Sequence, residues 1–163
     1  MSFQKTILDN GIVVITEYMP SVRSISLGLW FNVGSRDELP NQRGLAHFME
    51  HMMFKGTPTR TPFDISMHFD RLGAEFNAFT SKEYTCYYAR FVDDKLESAL
   101  EVLADMVINS SFSTEAISTE REVVLEEIAR SEDTPDDYVF ELFNQSMITD
   151  HALGLPVLGD KGL

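Results

Sequence analysis

Cysteine is nearly missing from this sequence: its 163 residues contain one, Cys86. A single thiol cannot close an internal disulfide, and zinc sites built on several thiolates are disfavoured with it. Cys86 sits in the strand-like run Tyr84-Thr-Cys-Tyr-Tyr and reads as a small core residue. Long apolar runs are missing too. Nothing approaches the ~20 apolar residues that a membrane-spanning helix needs, so no membrane partner is expected. The leading Met1-Ser-Phe-Gln-Lys-Thr has no apolar core and no Arg-rich amphipathic stretch. No signal or transit peptide is read there, and the expected compartment is the cytoplasm. Basic residues are scarce: 13 Lys and Arg stand against 26 Asp and Glu, for a formal net charge of −13. That balance argues against nucleic acid as a partner, which would require a basic face. An acidic field suits basic or neutral peptide substrates, and it serves solubility equally well. What is present is an ordinary globular share of apolar residues, 44%, in a length sufficient for one domain with a core.

Phe3–Leu8 and Ile12–Met19 read as strands joined by the turn signal Asp9-Asn10-Gly11. Ser24–Val33 is a third strand, with Ile25, Leu27, Leu29 and Phe31 on one face. A polar loop, Gly34–Gln42, leads to a helix over Arg43–Lys55. After a break at 56–62, Pro62 opens a helix that ends near Gly73. Glu75–Thr80 and Tyr84–Val92 read as another strand pair. Helices are expected from Asp93 to about Asn109, from the N-cap Ser113 to Arg130, and over Asp136–Thr149. The tail, His151–Leu163, is rich in Gly and Pro. Strands come first and helices last, with one helical pair inserted. The expected class is α+β: a largely antiparallel sheet with helices packed on one face.

The helix over Arg43–Lys55 carries His47-Phe-Met-Glu-His51. Histidines at i and i+4 share one helical face, which supplies two converging ligands for a divalent metal. Glu50 stands beside the same point, in the reverse of the His-Glu-x-x-His order. Leu45, Phe48, Met49, Met52 and Met53 fill one arc of the wheel; His47, Glu50, His51 and Phe54 fill the other. The stretch has almost no residues suited to a solvated face, so it is expected to be buried on most sides. Its polar arc then needs partners, and a metal would provide them. The plainer alternative is a pair of surface histidines on an amphipathic helix.

A catalytic zinc site usually takes three protein ligands and leaves one position open. Candidates for the third are His68, His151 and many acids. The helix after Ser113 is informative. Glu115, Thr119, Glu122, Glu126 and Arg130 form its polar face; Ile117, Val123, Val124 and Ile128 form the other. Glu120 and Glu127 fall inside that apolar arc, two turns apart. Buried acids are rare and costly unless paired or metal-bound, so two stacked ones point to the site; the plainer alternative is a boundary Glu that snorkels to water. Glu126 points away.

These segments, with several others in order, resemble the pitrilysin-type (M16) zinc metallopeptidases, the inverzincins, in their processing-peptidase-like branch. The resemblance is carried by Leu8-Asp-Asn-Gly-Ile-Val-Val, Gly34-Ser-Arg-Asp-Glu, Gly44-Leu-Ala-His-Phe-Met-Glu-His-Met-Met-Phe-Lys-Gly-Thr, Asn77-Ala-Phe-Thr-Ser-Lys-Glu-Tyr-Thr, Glu120-Arg-Glu-Val-Val-Leu-Glu-Glu and His151-Ala-Leu-Gly-Leu-Pro-Val-Leu-Gly. It implies zinc (Zn2+) held by His47, His51 and Glu127, with Glu50 as the base that activates water. It implies that Glu120 supports the site as a second acid. Asn77, Ala78 and Phe79 would lie on a strand edge that pairs with an extended peptide substrate, and Phe54 would wall the pocket beyond the cleaved bond. Ala152 stands where relatives usually have Pro. By the same resemblance, residues 1–163 correspond to the N-terminal part of a single metallopeptidase domain, truncated before its end. The partner would be a missing C-terminal half or a second subunit, whose Arg and Tyr help bind substrate. Such a piece is expected to associate with itself or to be less stable than the longer chain. The implied activity is that of a zinc endopeptidase; the rival is a non-catalytic subunit or a peptide-binding relative of the same fold.

Overall fold

The computed structural model describes residues 3–162. Five strands are present: β1 (Phe3–Ile7), β2 (Val13–Glu17), β3 (Ser24–Phe31), β4 (Glu75–Thr80) and β5 (Thr85–Val92). Five α-helices accompany them: α1 (Leu45–Met52), α2 (Pro62–Arg71), α3 (Leu96–Ile108), α4 (Thr114–Glu132) and α5 (Pro135–Met147). The class is α+β with antiparallel sheets, as expected. The sheet, however, comes in two pieces. β1 and β2 form a hairpin of their own, and β3, β5 and β4 form a three-stranded sheet in that order. Gly11 makes the hairpin turn at φ 87°, a conformation that favours glycine. Every residue of the hairpin strands is exposed, so its alternating Ile7, Val13 and Ile15 have no cover.

The core lies on one face of the three-stranded sheet. Ile25, Leu27 and Leu29 of β3, Tyr87, Ala89 and Phe91 of β5, and Phe76 and Ala78 of β4 point into it, following the period-2 alternation of a strand. Ile65 and Phe69 of α2 and Ala99, Val102, Leu103 and Met106 of α3 cover them. Phe69, fully buried, stacks on Phe76 with ring centroids 4.2 Å apart. Phe31, read as the last inward residue of β3, is 38% exposed and meets Tyr87 edge-on. The opposite face carries Trp30, Phe79, Tyr84 and Tyr88 in edge and tilted contacts.

Helix ends follow local chemistry. Thr61 and Asp64 form a reciprocal capping box around Pro62 at the start of α2. Ser113 Oγ accepts from the Ala116 N–H at 3.2 Å and caps α4. Asp93–Lys95 is a 3-10 turn, so the long helix read from Asp93 becomes α-helical only at Leu96. The helix read over Arg43–Lys55 is trimmed at both ends. Gly44 sits at φ 84°, outside the helix, and Phe54 and Lys55 close it with short-range bonds to His51 and Met52 carbonyls. Instead of a side chain at its own N-cap, α1 uses Glu38 from the preceding loop. That carboxylate accepts from the N–H groups of Gly44 at 2.8 Å and Ala46 at 2.7 Å. An anion there also complements the helix dipole. Among the described residues, no helix is long and apolar enough to cross a membrane.

Candidate metal centre

α1 packs against α4 on one side and against β4 on the other. The seam with α4 brings His47, His51 and Glu127 together. Their ligand atoms all lie within 4.8 Å of one another, and among the described residues they form the one such group of three. His51 Nε2 is 3.2 Å from His47 Nε2 and 3.5 Å from Glu127 Oε2; His47 Nε2 is 3.8 Å from the same oxygen. The other candidates for a third ligand lie elsewhere. His68 Nε2 sits 3.0 Å from Ser98 Oγ, between α2 and α3. His151 Nδ1 accepts from the Leu153 N–H at 3.1 Å and caps a 3-10 turn.

The arrangement fits a divalent cation. His51 Nδ1 is 2.8 Å from Glu120 Oε1. A carboxylate only accepts, so Nδ1 carries the donated proton. In the neutral ring this leaves a lone pair on Nε2, which faces a second imidazole nitrogen and a carboxylate oxygen. With His47 in its Nδ1–H tautomer, three electron-rich atoms converge on one point, which a cation between them would satisfy. Burial, reinforced by the neighbouring His51 and opposed by Glu127, pulls the pKa of His47 below the usual histidine value. That favours the neutral form, the one that ligates. His47 Nδ1 is buried without a hydrogen-bond partner, so nothing turns its Nε2 away from the cluster.

α4 departs from the expected pattern in one respect. Glu120, Val124 and Ile128 are buried, but Ile117 and Val123 are exposed. The inward stripe is therefore narrower than the apolar arc of the sequence. Glu120 is 3% exposed, whereas the Glu127 side chain is 43% exposed, at the mouth of the seam. Glu126 is exposed. Burial raises the pKa of Glu120, but hydrogen bonds from Lys55 and His51 outweigh it and hold this carboxyl below its ordinary value.

Glu50 is half-buried between α1 and β4. Its Oε2 accepts from Thr80 Oγ1 at 2.5 Å. Burial pushes its pKa up and the Glu127 carboxylate adds to this, while Thr80 and His51 oppose it. A carboxylate in that state is a stronger base than one in water. Among the described residues, β4 is an edge strand, bonded on one side to β5 and to no strand on the other. Asn77 and Phe79 stand on its outward face, and Ala78 and Thr80 on the α1 side. The Ala78 N–H donates to Asn77 Oδ1 at 2.9 Å. Phe54 packs at the core rim against Phe76 and Tyr87. Two partners had no signal in the pattern of the sequence: Thr80 for Glu50, and Lys55 for Glu120, whose Nζ lies 2.5 Å from Oε2.

Comparison with known proteins identifies the family. The family model described as Insulinase (Peptidase family M16) matches residues 13–161. An uncharacterized zinc protease of Streptomyces coelicolor is 50% identical over 156 residues, covering 96% of this chain and 34% of that protein. An uncharacterized zinc protease of Bacillus subtilis is 48% identical over 153 residues, covering 94% and 37%. The chain thus spans about a third of the length of the curated relatives it matches. Among solved structures, a protease from Helicobacter pylori superposes with TM-score 0.92 at 25% identity, over 98% of this chain and 39% of that one. A Pseudomonas fluorescens domain described as an inactive M16 peptidase domain gives 0.90 at 21% identity, over 99% and 39%, and speaks to the fold alone. Sequence match, close relatives and fold agree: the chain belongs to peptidase family M16.

Proposed function

We propose that this chain carries the metal-binding and proton-transfer residues of a zinc-dependent endopeptidase acting on extended peptide segments. The observation that carries the reading is the convergence of His47 Nε2, His51 Nε2 and a Glu127 oxygen beside the half-buried, base-like Glu50. Two nitrogens and one oxygen are a ligand set that zinc favours, and three protein ligands leave a position open. When bound there, zinc would act as a Lewis acid that brings the pKa of water toward ~7 and polarises a carbonyl. His47, His51 and Glu127 would hold it. Glu120 orients His51 through Nδ1 and fixes its tautomer.

The remaining steps belong to the chain. Glu50 takes a proton from the attacking water as its oxygen bonds to the scissile carbonyl carbon. It then returns a proton to the nitrogen as the C–N bond breaks. Thr80 holds the Glu50 carboxylate from the β4 side. The free edge of β4 at Asn77, Ala78 and Phe79 offers backbone groups to an extended peptide, the mode known as strand addition. Phe54 bounds the site near the end of α1. A completing half, in the same polypeptide or in a second subunit, would supply the rest of the substrate contacts. The rival, a subunit that has lost the chemistry, would have no use for a base at Glu50 beside an intact ligand set.

Glu50→Gln tests the reading, because it keeps size and removes basicity. Zinc content and folding stay near those of the parent, while cleavage of a test peptide falls by at least ~10²-fold. Unchanged cleavage would place the base elsewhere, with Glu120 next in line. Lost zinc would make Glu50 a ligand.

A further inference from the structure

Lys55 is outside the three-atom cluster, and the proposed chemistry gives it no task. Yet its Nζ lies 2.5 Å from Glu120 Oε2, while the other oxygen of that carboxylate, Oε1, lies 2.8 Å from His51 Nδ1. We propose that Lys55 is a positioning residue: by holding one oxygen of Glu120 it sets the other against His51 and thereby aims His51 Nε2 at the metal position. The inference rests on the reading that His47, His51 and Glu127 are the ligands.

The placement of the pair makes it suited to this task. Lys55 lies in the turn that closes α1, with its N–H bonded to the Met52 carbonyl at 3.0 Å. Glu120 is on α4, with its side chain only 4% exposed. The ion pair therefore crosses the α1–α4 seam. The two histidines and Glu127 face each other across the same seam. A cross-link at Lys55 and Glu120 restrains how α1 sits on α4, and so restrains the distance between the ligands. It also acts within the carboxylate itself. The terminal torsion of a Glu side chain is soft. With Oε2 fixed by an ammonium, rotation that would take Oε1 off His51 Nδ1 is opposed. Without it, a nearly buried carboxylate would lack its cation and would seek water or another donor.

Simple electrostatics gives the opposite expectation, which makes the idea sharp. A cationic side chain near a cation site repels the metal. Through the field alone, removing Lys55 would tighten zinc binding. Through positioning, removing it weakens binding.

The test is titration of the full chain with zinc alone, in competition with a chromogenic chelator. Removing an outer partner of a ligand typically costs 10–100-fold in metal affinity. Lys55 is one step further out, so Lys55→Met is expected to lose about tenfold. Lys55→Arg, which keeps the cation, recovers most of it. Glu120→Gln weakens binding by itself, and in that background Lys55→Met has no further effect, because its path runs through Glu120. Wild-type or tighter binding by Lys55→Met would overturn the proposal. So would a Lys55→Met loss that persists in full beside Glu120→Gln. If Lys55→Met loses its circular-dichroism signature of folding, Lys55→Gln carries the same test. It keeps most of the stem without the charge, and the same loss is expected; unchanged affinity overturns the idea. His51→Ala separates the underlying reading, since undiminished zinc binding there removes the ligand set itself.

Discussion

His51 is held between two carboxylates: Glu120 Oε1 lies 2.8 Å from its Nδ1, and Glu127 Oε2 lies 3.5 Å from its Nε2. The two acids are two turns apart on α4 but occupy different environments. The buried one fixes the ring, and the half-exposed one joins the cluster. That division predicts different consequences for their loss. Glu120→Gln keeps an acceptor for Nδ1–H but loses the charge that Lys55 engages. Zinc affinity should fall by about 10–100-fold with the fold retained, as read by competition titration and circular dichroism.

Adjacent acids on α4 separate more sharply. Glu127→Gln removes the charge of the proposed third ligand, and metal analysis should find most zinc gone. Glu126→Gln, on the exposed face, should leave zinc content unchanged. Equal losses in both variants would mean that α4 presents a different face to α1.

Cys86 supplies a probe of folding. Burial pushes its thiol up to about 11. The thiolate is the reactive form, so the folded chain should react slowly with a disulfide reagent at neutral pH. Denaturant should speed the reaction by orders of magnitude. Rapid labelling of the native chain would show that the sheet face around Trp30 opens readily.

Phe69 links α2 to the sheet through its stack on Phe76. Phe69→Ala empties a fully buried position and should cost about 3–5 kcal/mol, measured by urea unfolding. Because α2 is not part of the α1–α4 seam, zinc affinity of the folded fraction should change little.

Exposed apolar side chains should make the chain associate. Phe140, Phe143 and Met147 of α5 are 69%, 59% and 67% exposed, and Ile7 and Ile15 of the hairpin are similarly open. Sedimentation over a concentration series should show growing species. A strict monomer at high concentration would contradict this.

Much of this protein was legible in its sequence, and the reason is local. Period-2 alternation in β3, Pro62 at the head of α2, Ser113 at the head of α4 and the i, i+4 histidines are properties of a few consecutive residues. Short-range sterics and hydrogen bonding decide them wherever the rest of the chain goes. Helix ends were less legible. α1 starts at Leu45 because Gly44 turns with positive φ and Glu38, from the loop just before it, caps it with a carboxylate that no N-cap position marks. Tertiary structure alone decided which helix faces which. The wheel of α4 put Glu120 and Glu127 on one arc with Val123, yet packing against α1 buries Glu120, leaves Glu127 at the mouth and Val123 in the open. The contacts of Glu50 with Thr80 and of Glu120 with Lys55 join segments far apart in the chain. No periodicity records them, because they exist only once α1 is set between β4 and α4. The sequence by itself determined the chemistry that could be assembled; the packing of α1 determined which atoms meet.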